Sequence, residues 1–225
     1  MIKKLIIFDF DDTLTDNSER DLKSFEHIIK KFNLPIIDIN KIINWRKNSL
    51  TSKLIIKKLI NSDDKKLFYD CFQERSLFLQ KNSSYRNYVK LKLDTEKILN
   101  KLKNDGYILA LNSIQSNHDN FLNILENFRL DNYFKEIITQ ELIFSNNSYQ
   151  NRYNTKKTLY QKILNNLKFD SLEKILVVGN LFSDIIPAND LGIESIMIKG
   201  SFEFDISQSY SCQKIKNLEE IYKFI

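Results

Sequence analysis

A short apolar run followed at once by carboxylates constrains this chain more than any other feature. The run Leu5–Phe8 is β-branched and aromatic, which is typical of a buried strand in a parallel sheet. Asp9 and Asp11 follow it, and ligands of open α/β sheets bind beyond the carboxyl ends of the strands. Neighbouring carboxylates repel each other unless a cation or a shared proton compensates. The segment therefore predicts a metal-assisted acid/base pair. The simpler alternative is an acidic turn that caps the next helix through Asp12, Thr13 or Asp16.

The composition is that of a globular protein with a core domain and a smaller insertion. The 225 residues are 42% hydrophobic and 28% charged. The net charge of +5 (34 minus 29) favours solvated lysine faces and disfavours a nucleic-acid partner, although it would help to attract an anionic substrate. No stretch resembles a membrane span or a signal peptide, and Cys71 and Cys212 fit no pairing motif. We expect a cytoplasmic protein that binds no membrane, and the sequence leaves its oligomeric state open.

Apolar periodicity divides the chain into a helical stretch and an α/β stretch. Residues 17–88 are predicted to be helical and to form a domain inserted after the first strand. Residues 1–16 and 89–225 are predicted to form an α/β core with a doubly wound parallel sheet, because strands and helices alternate there. In the insertion, helices are predicted over residues 17–32, 38–60 and 63–80. In the core, the later strands are predicted at 107–111, 136–139, 175–178 and 195–198. The first core helix is predicted to begin at an N-cap, Asp94, and to end at Asp105-Gly106. Further helices are predicted at 117–128, 155–167, 184–191 and 218–224.

Three further strand or helix ends carry polar groups. Ser113 follows the second long strand, where a hydroxyl can donate to a phosphoryl oxygen or can simply cap a turn. Lys156 and Lys157 adjoin at the predicted start of a helix, although a lysine in a lysine-rich chain is ordinarily solvated. Asn180 and Asp184 follow the third long strand, where both offer oxygen atoms that Mg²⁺ accepts as ligands.

These segments, taken together, resemble the four motifs of the haloacid dehalogenase-like (HAD) superfamily, and they occur in the family's order. Residues 9–14, which follow the apolar run, resemble the first motif, in which Asp-x-Asp-x-Thr follows an apolar strand. Ser113 fits the second motif, and Lys156 fits the third by the apolar spacing that follows it, with Lys157 as the alternative. In the fourth motif Asp184 matches the second acid, whereas Asn180 stands where the first acid usually stands.

The resemblance implies a role for each of these residues. Asp9 would be the covalent nucleophile and Asp11 the general acid/base, while Ser113 and Lys156 would stabilise the phosphoryl oxygens. The cofactor would be Mg²⁺. Its ligands would be Asp9, the backbone carbonyl of Asp11, and Asp184 with or without Asn180.

The resemblance also implies a fold and an activity. The fold is a Rossmann-like core whose helical insertion is a C1-type cap. The expected reaction is Mg²⁺-dependent hydrolysis of a small phosphate monoester, a phosphorylated metabolite, through an aspartyl-phosphate. Asp11 argues against dehalogenation, and a phosphomutase or an enzyme that removes polynucleotide end phosphates remain alternatives. Asn180 supports another alternative, a non-catalytic or weakly catalytic HAD-like binding domain. Candidate specificity groups in the cap, each of which is otherwise a surface helix residue, are Trp45, Arg46, Lys47 and Arg86.

Overall fold

The chain folds into two compact units. The computed structural model describes residues 4–48, 50–114, 118–140, 149–169, 171–206 and 209–225. One unit, called the α/β unit below, is made of the described parts of residues 1–16, 91–200 and 204–225. The other, called the helical unit, is made of the described parts of residues 17–90 together with residues 201–203.

The centre of the α/β unit is a six-stranded sheet in which all neighbouring strands are parallel. The predicted doubly wound parallel sheet is therefore confirmed. In chain order the strands are β1 (Leu5–Phe8), β2 (Thr15–Asp16), β3 (Lys90–Leu91), β4 (Ile108–Ser113), β5 (Glu136–Thr139), β6 (Ile175–Gly179), β7 (Glu194–Ile198) and β8 (Gln213–Ile215). The large sheet has the order β5-β4-β1-β6-β7-β8, and β2 pairs with β3.

Among the described residues, five helices belong to the helical unit and four to the α/β unit. Those of the helical unit are α1 (Ser18–Lys31), α2 (Ile39–Lys47), α3 (Ser52–Ile60), α4 (Lys65–Gln80) and α5 (Asn82–Tyr88). Those of the α/β unit are α6 (Thr95–Asn104), α7 (His118–Asn127), α8 (Tyr149–Leu167) and α9 (Phe182–Asn189). Short 3₁₀ helices lie at Asp131–Tyr133, Leu172–Lys174 and Leu218–Lys223, so the last predicted helix is a 3₁₀ helix. No described helix combines the length and the apolar character that crossing a membrane requires.

Local structure corrects one predicted helix boundary and agrees with another. The stretch 38–60 holds two helices, because the Thr51 hydroxyl accepts the Leu54 N–H at 3.4 Å and starts α3 there. Asp94 is the N-cap residue of α6, as predicted, with its carbonyl accepting the Ile98 N–H at 2.9 Å, although its φ is +63° and its side chain accepts no capping hydrogen bond. Asn117, the predicted first residue of α7, lies outside the described residues.

The helical unit has its own apolar core, and a partly buried ion-pair network joins its helices. Asp21 of α1 accepts from Arg46 of α2 through Nε and Nη2, both at 2.7 Å, and also from Arg75 of α4. Trp45 packs against the apolar core. Two of the four candidate specificity groups therefore have internal contacts, while Lys47 and Arg86 are exposed.

Candidate active site

The candidate site continues from one apolar face of the large sheet. Successive side chains of a strand point to opposite faces, so residues two apart share a face. Ile7 of β1 is level with Ala110 of β4 and with Val177 of β6. All three are buried in one cluster with Tyr160 and Ile163 of α8. The helix α8 therefore covers this face.

The next position on this face is polar or small in each of the three strands. It is Asp9 directly after β1, Asn112 in β4 and Gly179 in β6. β4 and β6 flank β1 on opposite sides, so the chain order reverses at this point of the sheet. Ligands of doubly wound sheets bind at such a topological switch point. The apolar core thus ends in a polar row where a ligand is expected.

Asp9 is buried and held at both carboxylate oxygens. Its backbone N–H donates to the Val178 carbonyl at 2.9 Å, which extends the β1–β6 pairing by one residue. Oδ1 accepts from Lys156 Nζ at 2.6 Å, and Oδ2 accepts from the Thr13 hydroxyl at 3.1 Å. These contacts fix the orientation of the carboxylate.

Lys156 is 1% exposed and its ammonium group joins three acceptors. Nζ lies 2.6 Å from Asp9 Oδ1, 2.7 Å from Asn112 Oδ1 and 2.9 Å from Asp184 Oδ1. Burial disfavours the charged form, but the carboxylates of Asp184 and Asp9 outweigh this effect and raise the pKa of Lys156. The ammonium group is therefore a fixed positive charge.

The position of Lys156 in its helix differs from the prediction. Described α8 begins at Tyr149, so Lys156 lies about two turns inside the helix. The predicted helix start at Thr155 is wrong, because the polar residues before it give no apolar periodicity. Lys157 is half-buried, with Nζ 5.8 Å from the centre of the Tyr153 ring. Of the two adjacent lysines, Lys156 is the one that contacts Asp9.

Asp184 reaches Lys156 because Gly179 has no side chain. A Cβ atom on Gly179 would lie 2.4 Å from Asp184 Cβ, which is a severe overlap. Asp184 is 1% exposed, and its Oδ2 accepts the Leu181 N–H at 3.0 Å, which caps the first turn of α9. The Tyr160 hydroxyl donates to the Asp184 backbone carbonyl at 3.0 Å.

Asn180 is connected to Asp9 through Thr13. The buried Thr13 hydroxyl lies 3.1 Å from Asp9 Oδ2 and 3.5 Å from Asn180 Oδ1. Asn180 is itself buried, directly after β6. Its amide oxygen therefore belongs to the same polar group as the Asp9 carboxylate.

Asp11 and Ser113 lie at the same edge of the sheet. Asp11 is half-buried in the turn that follows Phe10, where the Leu14 N–H donates to the Phe10 carbonyl at 3.0 Å. Ser113 is 1% exposed and is the last residue of β4. Asp11 is near enough to Asp9 to contribute to the pKa of that carboxyl group.

The site carries an excess of negative charge. Asp9, Asp11 and Asp184 are three acids, and Lys156 supplies one compensating positive charge. Burial is the largest effect on Asp9, and with the carboxylates of Asp184 and Asp11 it raises the pKa of Asp9 to about 7, although Lys156 acts to lower it. A cation bound among these oxygens would favour the ionised form of Asp9 and relieve the repulsion.

The chemistry of the donor groups fits Mg²⁺, which prefers carboxylate, amide and carbonyl oxygens. Within the described ranges, no three His, Cys, Asp or Glu side chains are grouped as a metal-binding set. A cation at this edge would therefore need neutral oxygens in addition to carboxylates. The amide oxygen of Asn180 and the backbone carbonyl of Asp11 are suitable groups.

Comparison with known families identifies the chain. A model of the haloacid dehalogenase-like hydrolases matches residues 6–198. The chain belongs to this family. It is therefore a HAD-type hydrolase, and the family, the Rossmann-like fold and the enzyme class expected from the four motifs are confirmed. A comparison with curated proteins found no match.

Solved structures share the whole architecture. A candidate phosphatase from Clostridium difficile is 25% identical, with a TM-score of 0.74 over 99% of this chain and 98% of the other. A predicted phosphoglycolate phosphatase from Haemophilus somnus 129PT is 22% identical, with a TM-score of 0.68 over 98% and 97%. The HAD-type hydrolase YfnB from Bacillus subtilis, described as bound to magnesium, is 16% identical, with a TM-score of 0.64 over 99% and 98%. The last two likenesses concern the fold alone.

The sequence pointed to most of the polar groups in the site, but not to all of them. The structure joins Asp9, Lys156 and Asp184 directly, and Asn180 through Thr13. Sequence analysis did not identify Asn112, the residue before Ser113, as part of the site. Its place two residues after Ala110, on the face that α8 covers, was the signal that could have identified it.

Proposed function

We propose that this HAD-type hydrolase is a Mg²⁺-dependent phosphatase that hydrolyses a small phosphate monoester through an aspartyl-phosphate. One observation carries the proposal: a buried Asp9 carboxylate, oriented by Lys156 and Thr13, follows the central strand at the switch point of the sheet, with a second acid two residues further on. The C. difficile and H. somnus structures support it through their phosphatase names.

In the first step a carboxylate oxygen of Asp9 attacks phosphorus, and the bond from phosphorus to the alcohol oxygen breaks. Asp11 donates a proton to the leaving oxygen. In the second step Asp11 takes a proton from water, whose oxygen attacks the phosphoryl group. Phosphate leaves, and the Asp9 carboxylate is restored.

Bound Mg²⁺ would shield the anionic nucleophile from the anionic substrate. Asp9, the Asp11 carbonyl, and Asp184 with or without Asn180 would hold it. Lys156 places a positive charge beside Asp9, where its Nζ hydrogen-bonds to Asp9 and Asn112 and forms an ion pair with Asp184. Ser113 and Lys156 are assigned to the phosphoryl oxygens.

The helical unit is proposed to be the cap that selects the substrate. Residues 18–88 of this unit supply five helices, and the unit has its own core and follows the first strand of the α/β unit in the chain. Because Arg46 pairs with Asp21 inside this unit, the exposed side chains of Lys47 and Arg86 remain better candidates for substrate contacts.

The test is release of inorganic phosphate from an aryl phosphate and an alkyl phosphate, with and without Mg²⁺. Asp9→Asn should abolish turnover, because an amide is not a nucleophile. Asp11→Asn should lose about 10²–10⁴-fold in rate, and less for the aryl ester, whose leaving group needs little protonation. Asp12→Asn is the matched control: Asp12 has a φ of +59°, which Asn also tolerates, and it has no assigned role.

Asp12→Asn should keep the wild-type rate. Near-normal phosphate release by Asp9→Asn, from a preparation shown to be free of other phosphatases, would refute the covalent mechanism. Release that does not respond to Mg²⁺ would remove the metal from the proposal.

A further inference from the structure

The ammonium group of Lys156 has as many donors as it has acceptors around it. Lysine carries three N–H donors and no acceptor. Its Nζ lies within 2.9 Å of one oxygen each from Asp9, Asn112 and Asp184. Two of these partners are acids, and the third is the neutral amide oxygen of Asn112.

We infer that Asn112 is a positioning residue that fixes the Lys156 ammonium group, and through it the Asp9 carboxylate. With two acceptors alone, the ammonium group of a long, flexible side chain could rotate about its last bond and shift between the carboxylates. The third acceptor comes from another strand and completes a tripod. Nζ then hydrogen-bonds to Asp9 Oδ1 and Asn112 Oδ1 and forms an ion pair with Asp184 Oδ1, so the direction from Nζ to Asp9 Oδ1 is set.

The fold places Asn112 beside Lys156 and close to the hydroxyl of Tyr160, both of α8. Asn112 is fully buried inside β4, with neighbours Leu111 and Ser113 paired to β5. Asn112 lies on the same strand face as Ala110, which is buried in one cluster with Tyr160. Tyr160 lies one turn after Lys156 in α8. A side chain at this position meets α8 at Lys156, so an apolar residue there would place a buried N–H against hydrocarbon. The amide oxygen supplies the acceptor without a further negative charge in a site that already holds three acids.

The consequence for catalysis rests on the proposed phosphatase function, whereas the tripod itself does not. If Asp9 is the nucleophile, its angle of attack depends on the Lys156 contact, so Asn112 should affect the chemical step more than substrate binding. The expected signature is a fall in kcat with a nearly unchanged KM.

The first test observes the tripod directly, without activity. In protein labelled with ¹⁵N-lysine, Lys156 should give an exchange-protected ammonium signal in NMR spectra, identified by its loss in Lys156→Met. Asn112→Leu should weaken or abolish that protection. Asn112→Asp keeps an acceptor oxygen in nearly the same place, so the signal should remain and shift, because the acceptor becomes charged.

The second test is kinetic and uses p-nitrophenyl phosphate with Mg²⁺. Asn112→Leu should lose about 10- to 100-fold in kcat, the size expected for one hydrogen bond to a charged group, with KM changed by less than about threefold. Asn112→Asp should recover part of that loss. Ser195→Ala is the control, because it removes a partly buried hydrogen bond from another strand of the same sheet, in which the Ser195 hydroxyl of β7 donates to Asn189 Oδ1 of α9 at 2.7 Å. It should keep both kcat and the Lys156 signal.

The outcomes separate this inference from the proposed function. An unchanged Lys156 signal in Asn112→Asp overturns the inference, even if Asn112→Leu does not fold. Wild-type kcat in folded Asn112→Leu overturns it as well. If the NMR results are as expected and the wild type releases no phosphate, the tripod stands and the phosphatase proposal fails.

Discussion

Asn180 sets the charge of the candidate metal site. It stands directly after β6 with its amide oxygen 3.5 Å from the Thr13 hydroxyl, in a group where Asp9, Asp11 and Asp184 supply the acids. An amide oxygen can bind Mg²⁺ but brings no charge. The proposed site therefore has one charged ligand fewer than it would have with Asp at this position.

Asn180→Asp should accordingly tighten Mg²⁺ binding, because the side chain keeps its size and gains a charge facing the cation. Asp184→Asn should nearly eliminate binding. Calorimetric titration of Mg²⁺ into the wild type and the two variants measures the dissociation constants without any substrate. An unchanged or weaker affinity in Asn180→Asp would show that Asn180 does not face the metal. Normal affinity in Asp184→Asn would refute the ligand assignment as a whole.

At the scale of elements, apolar pattern was enough for five of the six strands in the large sheet. Strands such as β1 and β6 are continuous buried apolar runs, which only a central parallel strand explains. β8 was missed because only Ile215 of its three residues is buried, so the segment lacks any pattern. The start of α8 was misplaced for the same reason.

The residues of the candidate site were predictable only in part. Asp9, Asp11 and Asp184 were found because each closely follows an apolar strand, which local sequence reveals. The contact between Asn112 and Lys156 depends on which residue of α8 packs over which position of β4. Tertiary packing determines this contact, so it cannot be predicted from the local sequence pattern.

The partly buried ion-pair network of the helical unit ties three of its helices together. Burial acts to raise the pKa of Asp21, but Arg75 and Arg46 outweigh it and hold that pKa below its usual range. A group whose pKa is lower in the folded state stabilises the fold above its unfolded pKa, about 3.9 for Asp. This stabilisation is lost as the pH falls from there towards the folded value.

Asp21→Asn should therefore lower the free energy of unfolding at pH 7 by on the order of 3 kcal/mol, because it leaves the buried guanidinium group of Arg75 and the half-buried one of Arg46 without their carboxylate. The difference from wild type should be smaller at about pH 3, below the unfolded pKa of about 3.9, because Asp21 of the unfolded wild-type chain then binds a proton that the folded chain binds less readily. Chemical unfolding at the two pH values measures it. Asp63→Asn removes an exposed acid of the same unit and should change stability little at either pH. A pH-independent difference for Asp21→Asn would show that packing, not charge, is its contribution.

At the scale of the whole molecule, the two units divide the proposed work. All four candidate Mg²⁺ ligands, Asp9, Asp11, Asn180 and Asp184, belong to the α/β unit. Each unit also has a separate apolar core. Domains with their own cores can open independently, and local stability then differs between them.

Mg²⁺ should therefore slow amide hydrogen exchange in the α/β unit and leave the helical unit unchanged. A ligand at 100 times its dissociation constant stabilises the state that binds it by about 2.7 kcal/mol, or roughly 100-fold in exchange through unfolding. Mass spectrometry of peptides from β1, β6 and α9, compared with peptides from α1 to α4, reads the two units in one experiment. Asp184→Asn with Mg²⁺ is the control and should lose the slowing. Equal slowing in both units would show that they open as one cooperative body, and no slowing in β1 and β6 would place any bound Mg²⁺ outside the proposed site.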